Sequence, residues 1–114
     1  MDRETEIAAA ADDLYETMAR RCAELADQIL GRPKVGTDAW KAEHATKDTP
    51  EGQAKIVEWH LLKIQIYRRA RVNPIGDVVN ARQRGASWQA IADVCGISRQ
   101  AAFDRWSKYL KQKP

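Results

Sequence analysis

Seven apolar residues near the start of the chain recur at helical spacing: Ile7, Ala11, Leu14, Met18, Cys22, Leu25 and Ile29. The steps are 4, 3, 4, 4, 3 and 4, or 22 residues in six steps, close to one straight α-helical turn each. A strict seven-residue repeat would drift into a left-handed supercoil, whereas this spacing keeps all seven on one narrow face with acids opposite. The surrounding Ala, Glu, Leu and Arg residues are good helix formers. A helix over about 3–30 follows. Gly31, Arg32 and Pro33 end it, a glycine stop before a proline that cannot continue the turn.

Helix signals recur along the rest of the chain, and strand signals are scarce. Residues 31–50 hold Gly31, Pro33, Gly36 and Pro50 and read as a linker, with room for a short helix near Asp38 to Ala45 capped by Thr37 or Asp38. Thr49-Pro50-Glu51 is a helix start: a hydroxyl cap, a proline in the first turn and an early acid. The helix that follows, to about Ala70, is apolar nearly all round, and only Lys55, Glu58, Gln65 and Arg69 form a polar strip. Such a helix belongs at the centre, between neighbours. Leu62 to Ile66 also alternates like a strand, but no partner strand is apparent. A basic knot, Arg68, Arg69 and Arg71, precedes Asn73-Pro74, which reads as cap and first helical residue of a helix to about Arg84. Gly85 closes that helix, Ser87 caps one from Trp88 to Cys95, and Ser98 caps a last one from Arg99 to Lys111.

The expected fold class is therefore all-α. Residues 1–72 form an N-terminal helical scaffold, with the long acidic helix, the linker 31–50 and the central helix 50–71. Residues 73–114 form a C-terminal tri-helical unit, with the option of one shared core. At 114 residues the chain suits one domain with a modest core. Its net charge of +3 divides unevenly. Residues 1–31 carry eight acids and three bases, a net of −5, which leaves +8 on the remainder. The basic part points toward a polyanion.

Several classes drop out. No run approaches a membrane span, and no basic-then-apolar leader is visible, so no membrane partner is expected. Cys22 and Cys95 are far apart and without a CxxC, which argues against zinc or a disulfide scaffold and for packing of reduced, cytosolic thiols. His44 and His60 lack a second ligand one turn away; a buried bond to a carboxylate suits His60 better. Trp40, Trp59, Trp88 and Trp106 lie in separate segments and read as core filling. No nucleophile triad, phosphate loop or carboxylate pair appears. Neither enzyme activity nor a cofactor or metal is expected.

The three closing helices carry a specific spacing. Ala92 is small where two helices would cross, and Gly96 stands where the turn needs a positive φ. Ile91, Cys95, Ile97 and Ala102 supply apolar contacts, and Ser98 bonds the first free amides of the next helix. This is a helix-turn-helix arrangement.

Here the sequence resembles the helix-turn-helix of bacterial and phage regulators, of the sigma-factor region 4 and response-regulator type, over residues 75–110. Ile91-Ala92, Gly96-Ile97-Ser98 and Arg105 match the group's signature. Cys95 stands where Leu is usual, and Ala101-Ala102 where Thr-Val is usual, leaving room for Trp106 and Phe103. The resemblance implies that 99–111 enters the major groove of double-stranded DNA. Placing Ala102 inward puts Trp106, Tyr109 and Leu110 inside, and Gln100, Asp104, Ser107 and Lys111 outside, with Phe103 on one flank. Gln100 then suits adenine, Arg99 guanine or a phosphate, Asp104 cytosine, and Phe103 either a thymine methyl or the core. Ser87, Gln89 and Ser98 sit at helix starts that meet phosphates. Arg82, Arg84, Lys108, Lys111 and Lys113 add to the electrostatic footprint.

One such motif binds weakly, and these proteins commonly read two half-sites as a symmetric dimer. The scaffold is thus expected to dimerise through Ile7, Leu14, Met18, Leu25 and Ile29; the other outcome is that the first helix folds back on its own core. The expected function is a sequence-specific, dimeric transcription regulator at the nucleoid. The alternative is a protein-interaction adaptor or antitoxin-like protein whose acidic helix engages a protein partner.

Overall fold

The computed structural model describes residues 2–111 of the chain. These residues are all-α, without a strand among them: α1 (Arg3–Leu30), α2 (Asp38–Ala45), α3 (Pro50–Arg69), α4 (Ile75–Gln83), α5 (Trp88–Cys95) and α6 (Arg99–Lys111). Most helix starts follow the expected capping chemistry. Side-chain oxygens of Asp2, Thr37, Thr49, Ser87 and Ser98 each accept a bond from the amide three residues on, at 2.8–3.2 Å. The exception is α4. Asn73, expected as its cap, accepts a bond from Trp106 Nε1 at 3.3 Å instead. Pro74 takes the cap position with no side-chain bond, and its carbonyl receives the Asp77 and Val78 amides. A buried indole N–H needs an acceptor, and that need outweighs the cap.

Four helices end in one way. The amide of Arg32, Val72, Ala86 or Ile97 donates to the carbonyl five residues back, at 2.8–3.1 Å. The residue before each of these amides is left-handed: Gly31, Arg71, Gly85 and Gly96, with φ of 65°, 63°, 97° and 67°. Three are glycine, which has no Cβ to clash. Arg71 is the departure.

One cluster forms the core: Ile64 of α3, Val78 and Ala81 of α4, Ala86, Trp88, Ile91 and Ala92 on and before α5, and Ala102 and Trp106 of α6. As expected, α3 is central and packs on α1, α4 and α5, with Lys55, Glu58, Gln65 and Arg69 exposed. Its interior is less apolar than its pattern suggested, because His60 and Lys63 are buried there. Both reach one carboxylate oxygen of Asp77 on α4: His60 Nδ1 lies 2.7 Å and Lys63 Nζ 2.8 Å from Oδ1. Lys63 Nζ also stands 3.5 Å from the centre of the Trp59 ring. Trp88 and Trp106 are core residues, whereas Trp40 and Trp59 are half-buried and wall a crevice between the end of α1, α2 and α3.

The face of α1 divides in two. Cys22 and Ala26 are buried and Met18 and Leu25 half-buried, in the half that packs on α3. Ile7, Leu14 and Ile29 are exposed at 53, 69 and 64%. Every residue from 2 to 17 is exposed. The helix therefore folds back on its own core only in its second half. Both thiols are free, and burial pushes each above its ordinary pKa.

Candidate nucleic-acid interface

The site is built on the α5–α6 corner. Gly96 supplies the left-handed residue of the turn, with φ of 67°. Ala92 and Ala102 are fully buried in the shared core, so a larger side chain at either would push the two helices apart. Trp106, 1% exposed, fills the room that these small residues leave. Phe103 does not join it. It is 40% exposed and meets the Trp88 ring edge-on, with centroids 5.7 Å apart.

With Ala102 and Trp106 inward, Arg99, Gln100, Phe103, Asp104 and Lys108 are all exposed. Two expected positions shift. Ser107 is half-buried rather than outward, and Tyr109 is 38% exposed rather than inward. The inward line runs through Ala102, Trp106 and Leu110, and each four-residue step turns it by about 40°. Toward the end of α6 that drift approaches Ser107 and leaves Tyr109 behind. The Lys111 side chain and Lys113 lie outside the described residues.

The polar residues on this face are organised in pairs. Gln100 Nε2 donates to Asp104 Oδ1 at 2.8 Å, and Gln89 Nε2 donates to Asp93 Oδ1 at 2.7 Å. Each is an i, i+4 pair on a helix surface. An ionised carboxylate only accepts, so Asp104 turns the amide nitrogen of Gln100 toward itself and the carbonyl oxygen outward. One N–H of that nitrogen remains unused. Trp88, Arg99, Gln100 and Phe103 surround a depression of about 210 Å³. Trp88 was expected only as core filling; its role as a wall of this depression depends on the approach of Phe103, which no local spacing encodes.

The flanking cations differ in freedom. Arg82 donates to the Ala86 carbonyl at 2.7 Å and lies over the Trp88 ring at 4.9 Å, and Arg84 donates to Asn80 Oδ1. Both are tied to the body. Ser87, Gln89 and Ser98 are exposed at the starts of α5 and α6, where the serine hydroxyls already accept backbone amides. Arg105 points elsewhere. It stands two residues, or about 200° around the helix, from both Phe103 and Ser107. There it lines a groove with Arg68 and Arg71.

Among the described residues no group of three or more His, Cys, Asp or Glu side chains is placed to hold a metal, and no helix is long and apolar enough to cross a membrane. No family model matches the chain, and no curated protein or solved structure matches it.

Proposed function

We propose that this chain is a sequence-specific double-stranded DNA-binding protein, a dimeric transcription regulator of a bacterium or phage that works at the nucleoid. The reading rests on one observation above the others: Arg99, Gln100 and Asp104 form an exposed edge on a helix whose inner side is locked by Ala102 and Trp106. A rigid helix with a free polar edge is what major-groove readout needs. The carbonyl oxygen of Gln100 accepts from adenine N6 while its unused N–H donates to N7, so the Asp104 bond presets the amide for adenine. Arg99 pairs with guanine or a phosphate, and Phe103 offers an apolar rim for a thymine methyl. Ser87, Gln89, Ser98 and Lys108 meet the sugar–phosphate backbone, helped by the +8 carried beyond residue 31.

Selection of bound duplexes from a random pool tests this. The expected product is a two-fold symmetric site with half-sites about one helical turn apart. An Arg99→Ala, Gln100→Ala double variant should bind with its sequence preference erased. A wild type without duplex affinity even at low salt rules the regulator out. The exposed Ile7 and Leu14 on an acidic helix favour a second reading, an adaptor or antitoxin-like protein that docks a partner there. In that case the double variant changes no DNA property.

A further inference from the structure

The free half of α1 and the groove beside Arg105 are complementary in charge. Residues 2–16 carry six acids and one base, a net of −5. Their helical stretch is exposed on all sides, with Ile7, Leu14 and Tyr15 at 53, 69 and 60%. Glu6, Asp12, Asp13 and Glu16 fall within about 120° of the helix circumference, on the side opposite Ile7 and Leu14. The radius of gyration, 16.0 Å, exceeds the roughly 13 Å of a compact domain of this length, as a projecting arm requires.

The groove is lined by Arg68, Arg71, Val72, Asn73, Pro74, Arg105, Trp106 and Tyr109. No acid lines it, and its cavity is about 520 Å³. Arg105 lies over its neighbour Trp106, Arg68 and Arg105 both act on the Cys95 thiol, and Arg71 is exposed. Val72, Pro74 and the part-exposed Tyr109 give an apolar floor between them. Arg71 adds an independent sign. Of the four left-handed helix ends it alone is not glycine, so its side chain is kept at a position where glycine would be the relaxed choice. The groove also faces away from the base-reading edge, because Arg105 lies across α6 from Phe103 and Ser107.

We infer that the dimer, on whose existence this rests, is held by exchange of acidic arms: residues 3–14 of each copy lie in the Arg68–Arg71–Arg105 groove of the other. Glu6, Asp12 and Asp13, which share the side of the helix opposite Ile7 and Leu14, meet the arginine rim. The exchange is short. A Cβ on Gly76 would lie 3.6 Å from the Tyr15 hydroxyl, so each arm leaves its own body beside residues 73–76, which border the groove that receives its partner. The contact is reciprocal and closes as a two-fold dimer.

Sedimentation of the full chain at up to about 100 µM, at about 0.1 M and about 0.5 M salt, tests this with charge-reversed variants. Wild type should be a dimer whose dissociation constant rises at least about tenfold with salt. Arg68→Glu, Arg71→Glu and, separately, Asp12→Lys, Asp13→Lys should each be folded by circular dichroism and monomeric. Mixed one to one they should form a heterodimer, because each arm then meets a groove of opposite sign. Arg71→Gly should raise the melting temperature measured on dilute monomer and weaken the dimer. A wild-type dimer that persists in both double variants overturns arm exchange and leaves dimerisation standing. A wild-type monomer at about 100 µM overturns both. Groove reversal that removes DNA binding while leaving the dimer intact reassigns the groove to phosphate and also overturns the exchange.

Discussion

Replacing Asp77 by Ala tests what joins α3 to α4. One oxygen, Asp77 Oδ1, receives His60 Nδ1 at 2.7 Å and Lys63 Nζ at 2.8 Å. The three side chains are only 8–11% exposed. Removing the carboxylate leaves an ammonium group buried with no counter-charge, and only the Trp59 face remains beside it. Breaking a buried pair from one side costs about 3–5 kcal/mol, a fifth or more of the roughly 5–15 kcal/mol that holds a domain together. With a urea slope of about 1–3 kcal/mol/M, the unfolding midpoint should fall by about 2 M. Urea titration followed by circular dichroism and tryptophan emission gives both midpoint and slope. The companion variant His60→Leu, Lys63→Met, Asp77→Leu removes the charges together. It should return to within about 1 kcal/mol of wild type, because apolar replacement of buried pairs is commonly neutral or better. If Asp77→Ala costs less than about 1 kcal/mol at unchanged slope, or if the triple variant is the weaker of the two, the reasoning fails.

Three further outcomes follow from the geometry. Gly52→Ala should destabilise by about 1–3 kcal/mol, because its Cβ would collide with the Thr46 carbonyl oxygen and stand 2.8 Å from Lys47 Cα; a thermal melt no lower than wild type would refute the close approach. Asp104→Ala should leave the fold intact but free the Gln100 amide, lowering discrimination at the adenine position by about tenfold in a competition titration, with little loss of non-specific affinity. Stability should also fall in alkali. Burial pushes the Tyr67 phenol and the Cys22 thiol above their ordinary values of 10.0 and 9.0, so the unfolded chain releases these protons first. Their stabilisation is complete below about pH 9 and is lost as pH rises through the folded pKa values, and Tyr67→Phe should flatten that limb of a melting profile.

Local chemistry was legible where it depends on neighbours in the chain. The steps from Ile7 to Ile29, the hydroxyls at Thr49, Ser87 and Ser98, and Gly96 between two short helices each announce their element, and the helices form there. Legibility ended where one segment answers to another. Asn73 carries a cap signal, but the indole of Trp106, 33 residues away, takes its oxygen. The stripe on α1 reads as one face, and only the length of the body beneath it decides that Cys22 is covered and Leu14 is not. The basic knot at Arg68 to Arg71 was plain as a run of charge. Its meeting with Arg105 depends on how α6 rotates about Trp106, which periodicity leaves open. Gln100 and Asp104 were both expected on the outer face, but the bond between them, which aims the amide, emerged only from rotamers.

Because α1 runs unbroken from its anchored half into its free half, length and phase along it are locked together. Inserting one residue between Tyr15 and Met18 would advance the tip by about 1.5 Å and swing it by about 100°, turning Ile7 and Leu14 away from whatever they touch. Insertions of seven or eleven residues nearly restore the facing, with errors of about 20° in opposite senses. The reach of this protein can therefore change only in coarse jumps of roughly 10 or 16 Å.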